Sequence, residues 1–274
     1  MARFKVWLEY EGTRYHGWQV QKNARTVQGE IHRALHSVFK GSPFEFVGAG
    51  RTDAGVHALM QVAHLEVDTV LAPEIIRMKV NDELPPDINI IEAEKTHARF
   101  HARHDAVARR YLYQISRRRT ALGKHFVWWI KDDLHVARMR DAISLFPGMK
   151  NLRSFTDDSA EEKSTQVLIE DVSLQEAGSL ILLTISGSHF LWKLVRRIVG
   201  VTVEVGRGKM TVDSVQRFIT TGTDEPARYT APPSGLFLER VFYKGDLREH
   251  SPASVLAIEP GPHARHQSRG RVMK

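Results

Sequence analysis

The sequence predicts an α+β fold, and two observations predict it. Short runs of alternating apolar and polar residues meet in hairpins, and stretches of helical periodicity lie segregated beside them.

The first run covers residues 3–10, where Phe4, Val6, Leu8 and Tyr10 alternate with Lys5, Trp7 and Glu9. A turn at Glu11-Gly12 leads into the aromatic stretch Tyr15-His16-Gly17-Trp18-Gln19. Thr26 is placed to cap a helix whose apolar stripe is Val27, Ile31, Ala34, Leu35, Val38 and Phe39. A glycine-rich segment, residues 48–55, precedes a strand in which Ala63, Leu65 and Val67 alternate with His64, Glu66 and Asp68 on an expected solvated face. Pro73 suits the first turn of a helix to about Val80. Leu84-Pro85-Pro86-Asp87 then breaks the chain before a strand at Ile88, Ile90 and Ile91. Tyr111, Tyr113 and Ile115 alternate on the next strand, which runs into Arg117-Arg118-Arg119. A helix is expected over residues 136–146. Residues 169–174 and 180–185 flank Glu176-Ala177-Gly178-Ser179 as a hairpin. Helices over 190–204 and 212–219 and a closing strand over 236–243 complete the reading. The expected lobes are residues 1–107 and 108–246, followed by a basic, flexible tail at 247–274.

Composition bounds the function. The 274 residues are 42% hydrophobic and 26% charged, ordinary for a chain that buries a core. The absence of cysteine excludes disulfides and cysteine-rich zinc sites, and agrees with a reducing, cytoplasmic setting. The first residues run directly into a strand pattern without a signal-peptide core, and apolar runs such as 180–183 are far too short to span a bilayer. Lys plus Arg number 39 against 32 Asp plus Glu, a net charge of +7 that favours polyanionic partners.

The segment most informative for chemistry is Gly48-Ala49-Gly50-Arg51-Thr52-Asp53-Ala54-Gly55-Val56-His57-Ala58. Its glycine spacing fits neither a dinucleotide fingerprint nor a phosphate loop, since Val56 follows Gly55 where a phosphate loop needs lysine. Taken alone it reads as a surface turn with Asp53 bonded to the backbone. Residues 50–57 nevertheless resemble the signature of the tRNA pseudouridine synthase A family. Tyr15-His16-Gly17-Trp18-Gln19, Leu84-Pro85-Pro86-Asp87-Ile88 and Phe100-His101-Ala102-Arg103 follow in that family's order. So do Arg109-Arg110-Tyr111-Leu112-Tyr113, Phe190-Leu191-Trp192-Lys193-Leu194-Val195-Arg196 and Ala231-Pro232-Pro233-Ser234-Gly235-Leu236. The similarity extends over about residues 4–243. It departs from the family at Ser164-Thr165-Gln166-Val167-Leu168, where an arginine is common, and at Leu194, where methionine is usual.

The resemblance implies two similar lobes with mostly antiparallel sheets flanked by helices and a catalytic cleft between them. It implies an isomerase that converts uridine to pseudouridine at positions 38–40 in the anticodon stem-loop of tRNA, without a cofactor or metal and as a homodimer. Asp53 matches the catalytic carboxylate. Tyr111 matches the active-site tyrosine, which stacks on the base and takes part in proton transfer. Arg196 is the expected ion-pair partner of Asp53, because a nearby cation favours an ionised carboxylate. On the expected helix it shares a polar face with Lys193 and Arg197, opposite Leu191, Leu194, Val195, Ile198 and Val199. Arg51, two residues before Asp53, points the same way on extended backbone and is expected to fill the gap left by a flipped base. Arg109, Arg110, His57, Lys193 and Arg197 are expected at the substrate site. Of these, His57 also braces the loop, and Arg197 is either solvated or on a phosphate. Tyr113 is expected in the core. Two rivals remain: a non-catalytic RNA-binding module, and a metal-dependent hydrolase using Asp53, His57 and His64.

Overall fold

The computed structural model describes residues 1–158, 164–248 and 251–260, and ten strands and five α-helices form among the described residues. Two compact units result, and neither is continuous in sequence. The first gathers Met1–Tyr111, Ser186–Phe190 and the described part of Leu236–Glu249. The second gathers Leu112–Ile185, Leu191–Gly235 and the described residues from Ser251 onward.

In the first unit, β1 (Ala2–Tyr10) buries Phe4, Val6, Leu8 and Tyr10 on one face, as the alternation demands. It pairs antiparallel with β3 (His57–Val67) on one side and with β4 (Ile88–Thr96) on the other. The far edge of β3 is shared. Its C-terminal half pairs antiparallel with β2 (Phe44–Gly48), and its first two residues pair parallel with β10 (Leu236–Phe242). Helix α1 (Val27–Val38) starts where Thr26 accepts the amide of Gly29, and buries Val27, Ile31, Ala34 and Leu35. Helix α2 (Pro73–Glu83) begins on its proline and buries Ile76 and Val80. Strand β2 has no counterpart in the sequence reading, because its alternation is only five residues long and ends in the glycine-rich segment.

One expected face of β3 is corrected. His64 does not lie in solvent; it is fully buried, and its Nδ1 accepts the amide of Ala102 at 3.2 Å. The ring of His101 covers it at 4.8 Å. The alternation of β3 describes one dry face, but the segment around residues 100–105 folds over the other and dries that too.

The second unit holds the run β5–β9–β8–β7, in which β5 (Ala108–Ser116) belongs to it from Leu112 onward. Strands β8 (Gln166–Ala177) and β9 (Leu180–Gly187) form the expected hairpin, turned at Gly178 with φ of 60°. Short strands β6 (Trp128–Trp129) and β7 (Gly148–Asn151) pair with β5 and β8. Helix α3 (Val136–Ile143) packs against β8 and α4, and α5 (Val212–Thr221) packs against β7.

Helix α4 (Leu194–Gly206) departs from expectation twice. It starts four residues later than expected, because Lys193 takes a left-handed conformation with φ of 62°. It is also buried nearly all round, so of the expected polar face Arg197 is buried while Lys193 and Arg196 are partly buried.

The beginning of the expected flexible tail is docked on the second unit. Ile258 is buried, its carbonyl accepts the amide of Ser179 at 2.9 Å, and the amide of Val255 donates to Gln114 at 2.8 Å. Arg265, Arg269, Arg271 and Lys274 lie outside the described residues.

Candidate active site

Asp53 stands on the eight-residue connection 49–56 between β2 and β3, and nearly every part of that connection is tied down within the first unit. The Ala49 amide donates to Val62 at 2.7 Å, and the Gln61 side-chain amide donates to the Gly50 carbonyl at 3.1 Å. The Thr52 carbonyl accepts from Trp18 at 3.1 Å, while its hydroxyl meets Tyr10 at 2.8 Å. Gly55 donates to Tyr15 at 3.2 Å, and the Asp53 carbonyl closes a tight turn by accepting Val56 at 3.2 Å. The aromatic stretch therefore serves as the backing of the loop. Two glycines permit the approach. A Cβ on Gly12 would sit 1.9 Å from the Val56 carbonyl oxygen, and one on Gly17, at φ of 90°, would sit 2.7 Å from that of Thr52.

These ties orient the side chains. Thr52 is buried, whereas its neighbours Arg51 and Asp53 are exposed and partly buried respectively. His57 is buried, accepts the Gly12 amide on Nδ1 at 3.0 Å and stacks on Phe237 at 4.7 Å. It braces the loop from below. An Nδ1 that accepts an amide carries no proton, which places the ring proton on Nε2.

Tyr111 lies in the same unit, with its ring edge-on to Phe190 at 4.9 Å. Burial pushes its phenol up to about 12; the positive charge of Arg109 opposes this and the negative charge of Asp53 adds to it. Asp53 and Tyr111 thus lie within electrostatic reach of each other. Tyr10 belongs to the same neighbourhood: burial raises its phenol most, the Thr52 hydrogen bond opposes, and Tyr111 adds to the rise.

The two adjacent arginines diverge, as strand residues must. Arg110 is buried, donates from Nε to Ser186 at 2.9 Å and from Nη2 to the Arg248 carbonyl at 3.0 Å, and lies over the Phe242 ring. Arg109 shares the face of Tyr111 and spends its donors on carbonyl oxygens.

In the second unit, Arg196 is partly buried, and its Nε donates to the Ala231 carbonyl at 2.7 Å while the Ala231 amide donates to the Arg196 carbonyl at 3.0 Å. This joins the Phe190–Arg196 motif to the Ala231–Leu236 motif. Tyr113 is in the core as expected, with its hydroxyl donating to Pro232 at 2.7 Å. Burial raises its phenol, and the charge of Arg196 opposes that rise. Arg197 is buried and bonded to Asp157, which also takes Lys193 at 2.7 Å. The two cations hold the Asp157 carboxyl below the usual carboxylate range, Lys193 first. Asp157 received no role in the sequence reading. Its only signal was an acidic pair, Asp157-Asp158, in a basic chain.

His57 and His64 each commit Nδ1 to a backbone amide, and among the described residues no group of three or more His, Cys, Asp or Glu is placed to hold a metal ion. No helix among them is long and apolar enough to cross a membrane.

The sequence profile of a family described as tRNA pseudouridine synthase matches residues 7–105 and 142–244. A tRNA pseudouridine synthase A of Acetivibrio thermocellus is 38% identical over 245 residues, covering 89% of this chain and 100% of the relative. One from Syntrophomonas wolfei is 36% identical, covering 90% and 100%, and one from Citrifermentans bemidjiense is 38% identical, covering 89% and 98%. With a loop-borne carboxylate within electrostatic reach of a partly buried tyrosine and similarity along both halves of the sequence, the chain belongs to the tRNA pseudouridine synthase family.

Proposed function

We propose that this chain, an isomerase by its family, converts uridine to pseudouridine at positions 38–40 of tRNA with Asp53 as the catalytic carboxylate. The observation that supports this most is the fixed loop, which presents Asp53 within electrostatic reach of Tyr111. The reaction breaks N1–C1′, turns the base and joins C5 to C1′. A proton leaves C5 and one is gained at N1, so nothing is oxidised and no group is transferred.

Each residue answers one demand of that sequence. The target base must leave its stack, and Arg51, exposed on the rim of the loop, fills the space it vacates. The ionised Asp53 attacks or stabilises the electron-poor centre created as N1–C1′ opens. Arg196 is assigned the task of keeping that carboxylate ionised. Tyr111 stacks on the released uracil and, being protonated well past neutral pH, offers a proton more readily than it takes one. His57 and Arg110 support the site without touching substrate. We assign the protein to the cytoplasm as a homodimer; a light-scattering mass equal to the 31.2 kDa of one chain would contradict the dimer.

The test is incubation with uridine-labelled tRNA and mapping of pseudouridine by position, for the wild type and for Asp53→Asn. Product at positions 38–40 is expected from the wild type only, with both proteins folded and binding tRNA. Binding without product from the wild type would support the RNA-binding module instead, and product from a folded Asp53→Asn would remove Asp53 from the chemistry.

A further inference from the structure

Arg109 stands beside Tyr111 in a basic, RNA-directed chain, where a phosphate contact would be the ordinary assignment. Its geometry is different. Nη1 donates to the carbonyls of Ser188 at 2.9 Å and Ala106 at 3.3 Å, and Nη2 to those of Ala49 at 2.9 Å and Arg103 at 3.0 Å. A guanidinium has five N–H donors in a planar fork, so four are spent inside the first unit and only Nε–H remains. Desolvation lowers the pKa of the group, and the nearby Tyr111 and Tyr243 oppose that shift.

The four acceptors are not a random set. Ala49 is the first residue of the connection that carries Arg51 and Asp53. Ser188 lies two residues before Phe190, whose ring sets the edge of Tyr111. Arg103 and Ala106 belong to the turn that leads into β5 and so to Tyr111 itself. One planar cation therefore ties together the backbone carrying the carboxylate, the strand carrying the tyrosine and the segment carrying the aromatic that orients it.

We infer that Arg109 is a positioning residue, which fixes the Asp53 loop and the Tyr111–Phe190 pair in one register and takes no part in binding phosphate. This rests on Asp53 being the catalytic carboxylate, and it assigns Arg109 a role unlike that of a substrate contact. Lysine at this position keeps a charge but offers a point donor in place of a fork, and it cannot reach four carbonyls spread about a plane.

The experiment measures tRNA affinity and single-turnover rate at saturating tRNA for Arg109→Lys and Arg109→Gln, with Asp53→Asn alongside. The expected result is affinity within about twofold of wild type, an unchanged salt slope and a rate reduced tenfold or more in both Arg109 variants. Weakened affinity with a shallower salt slope and an intact saturated rate would make Arg109 a phosphate ligand and overturn the inference, as would wild-type behaviour throughout. Activity in Asp53→Asn would instead show that the premise about the loop is wrong. If either Arg109 variant fails to fold, phenylglyoxal footprinting of the wild-type protein decides the matter. A clamped Arg109 stays unreactive with and without tRNA, whereas a phosphate ligand is modified in the free enzyme and protected by tRNA.

Discussion

Tyr111 can serve uracil with its ring, its hydroxyl or both, and two substitutions separate them. Tyr111→Phe keeps the ring that packs on Phe190, whereas Tyr111→Leu removes ring and hydroxyl together. Because the phenol is pushed up to about 12, it stays neutral in any ordinary buffer, so a phenolate is not the resting base. We expect Tyr111→Phe to bind tRNA as wild type does and to lose about 10²–10⁴-fold in single-turnover rate if the hydroxyl moves a proton. Tyr111→Leu should lose binding as well, since aromatic stacking on a base contributes about 1–3 kcal/mol. A Phe variant at wild-type rate would leave stacking as the whole contribution. The wild-type rate should show no break between about pH 7 and 10 that disappears in Tyr111→Phe. Asp53, Tyr111 and Arg51 stand out in the sequence as candidates because they sit in compact motifs. The true partners of Arg109 and Arg197 do not. Arg109 reaches carbonyls 60 and 79 positions away, and Arg197 meets a carboxylate 40 positions away. Backbone acceptors leave no mark in residue type, so no pattern could have announced those of Arg109, and the only signal for the partner of Arg197 is the acidic pair Asp157-Asp158.

The elements that support the loop were legible to different degrees, and β3 shows why. Its alternation gave the strand and its inner face, but the burial of His64 depends on a turn arriving from residues 100–105. Helix α4 was found from its periodicity, yet its start was misplaced, because Phe190 is committed to Tyr111 and Lys193 turns left-handed before the helix begins. The buried histidine also ties the seating of that turn to pH. Desolvation first, then the charges of Arg3 and His101, lower the pKa of His64, and Glu45, 3.5 Å from its Nε2, opposes them. A neutral Nδ1 is the acceptor for Ala102, so protonation there would break the bond that seats the turn. With the folded pKa depressed, this stabilisation is fully present above the unfolded value of about 6.5 and is lost as pH falls through the folded one. His101, also depressed by burial and by His104, shifts in the same direction. Thermal melts should therefore be flat above about pH 7 and fall progressively below about 6.5. His64→Gln, neutral at every pH and still able to accept an amide, should melt lower near neutrality and lose part of that slope. A variant with the full wild-type slope would exclude His64 as its source.

Across the whole molecule, the division into two compact units followed sequence order less closely than two consecutive lobes would. Ser186–Phe190 and the segment from Leu236 return to the first unit: the first leaves along strand β9 with no Pro/Gly linker, whereas the second follows Pro232-Pro233-Ser234-Gly235 directly into β10. Charge is the property legible at this scale from composition alone. A net charge of +7 on a tRNA-modifying chain implies association through phosphate neutralisation, with the logarithm of affinity falling linearly in the logarithm of salt concentration. The structure narrows which cations supply that slope. Arg109, Arg110 and Arg197 are engaged inside their own units, on carbonyls, a serine and a carboxylate, so they should contribute little. Beyond Pro260 the sequence carries Arg265, Arg269, Arg271 and Lys274 and no acidic residue. Because Ser251–Pro260 includes the docked Ile258 and Val255, a truncation that respects the second unit must end after Pro260, not before it. Removing residues 261–274 takes away four positive charges, and each that meets a phosphate contributes about 0.9 to the salt slope in duplex RNA or DNA and about 0.7 on single strands. We expect the truncated protein to bind tRNA more weakly at low salt, with a slope shallower by at most about four such increments. Its affinity should approach that of the full chain as salt rises. Single-turnover rate at saturating tRNA should be unchanged, because the residues proposed for the chemistry, Arg51, Asp53, Tyr111 and Arg196, all precede the deleted segment in sequence. Filter binding across a salt series, paired with single-turnover assays, makes the distinction: equal slopes would remove the tail from the RNA contact, and a collapse in rate at saturation would give it a role in the chemistry.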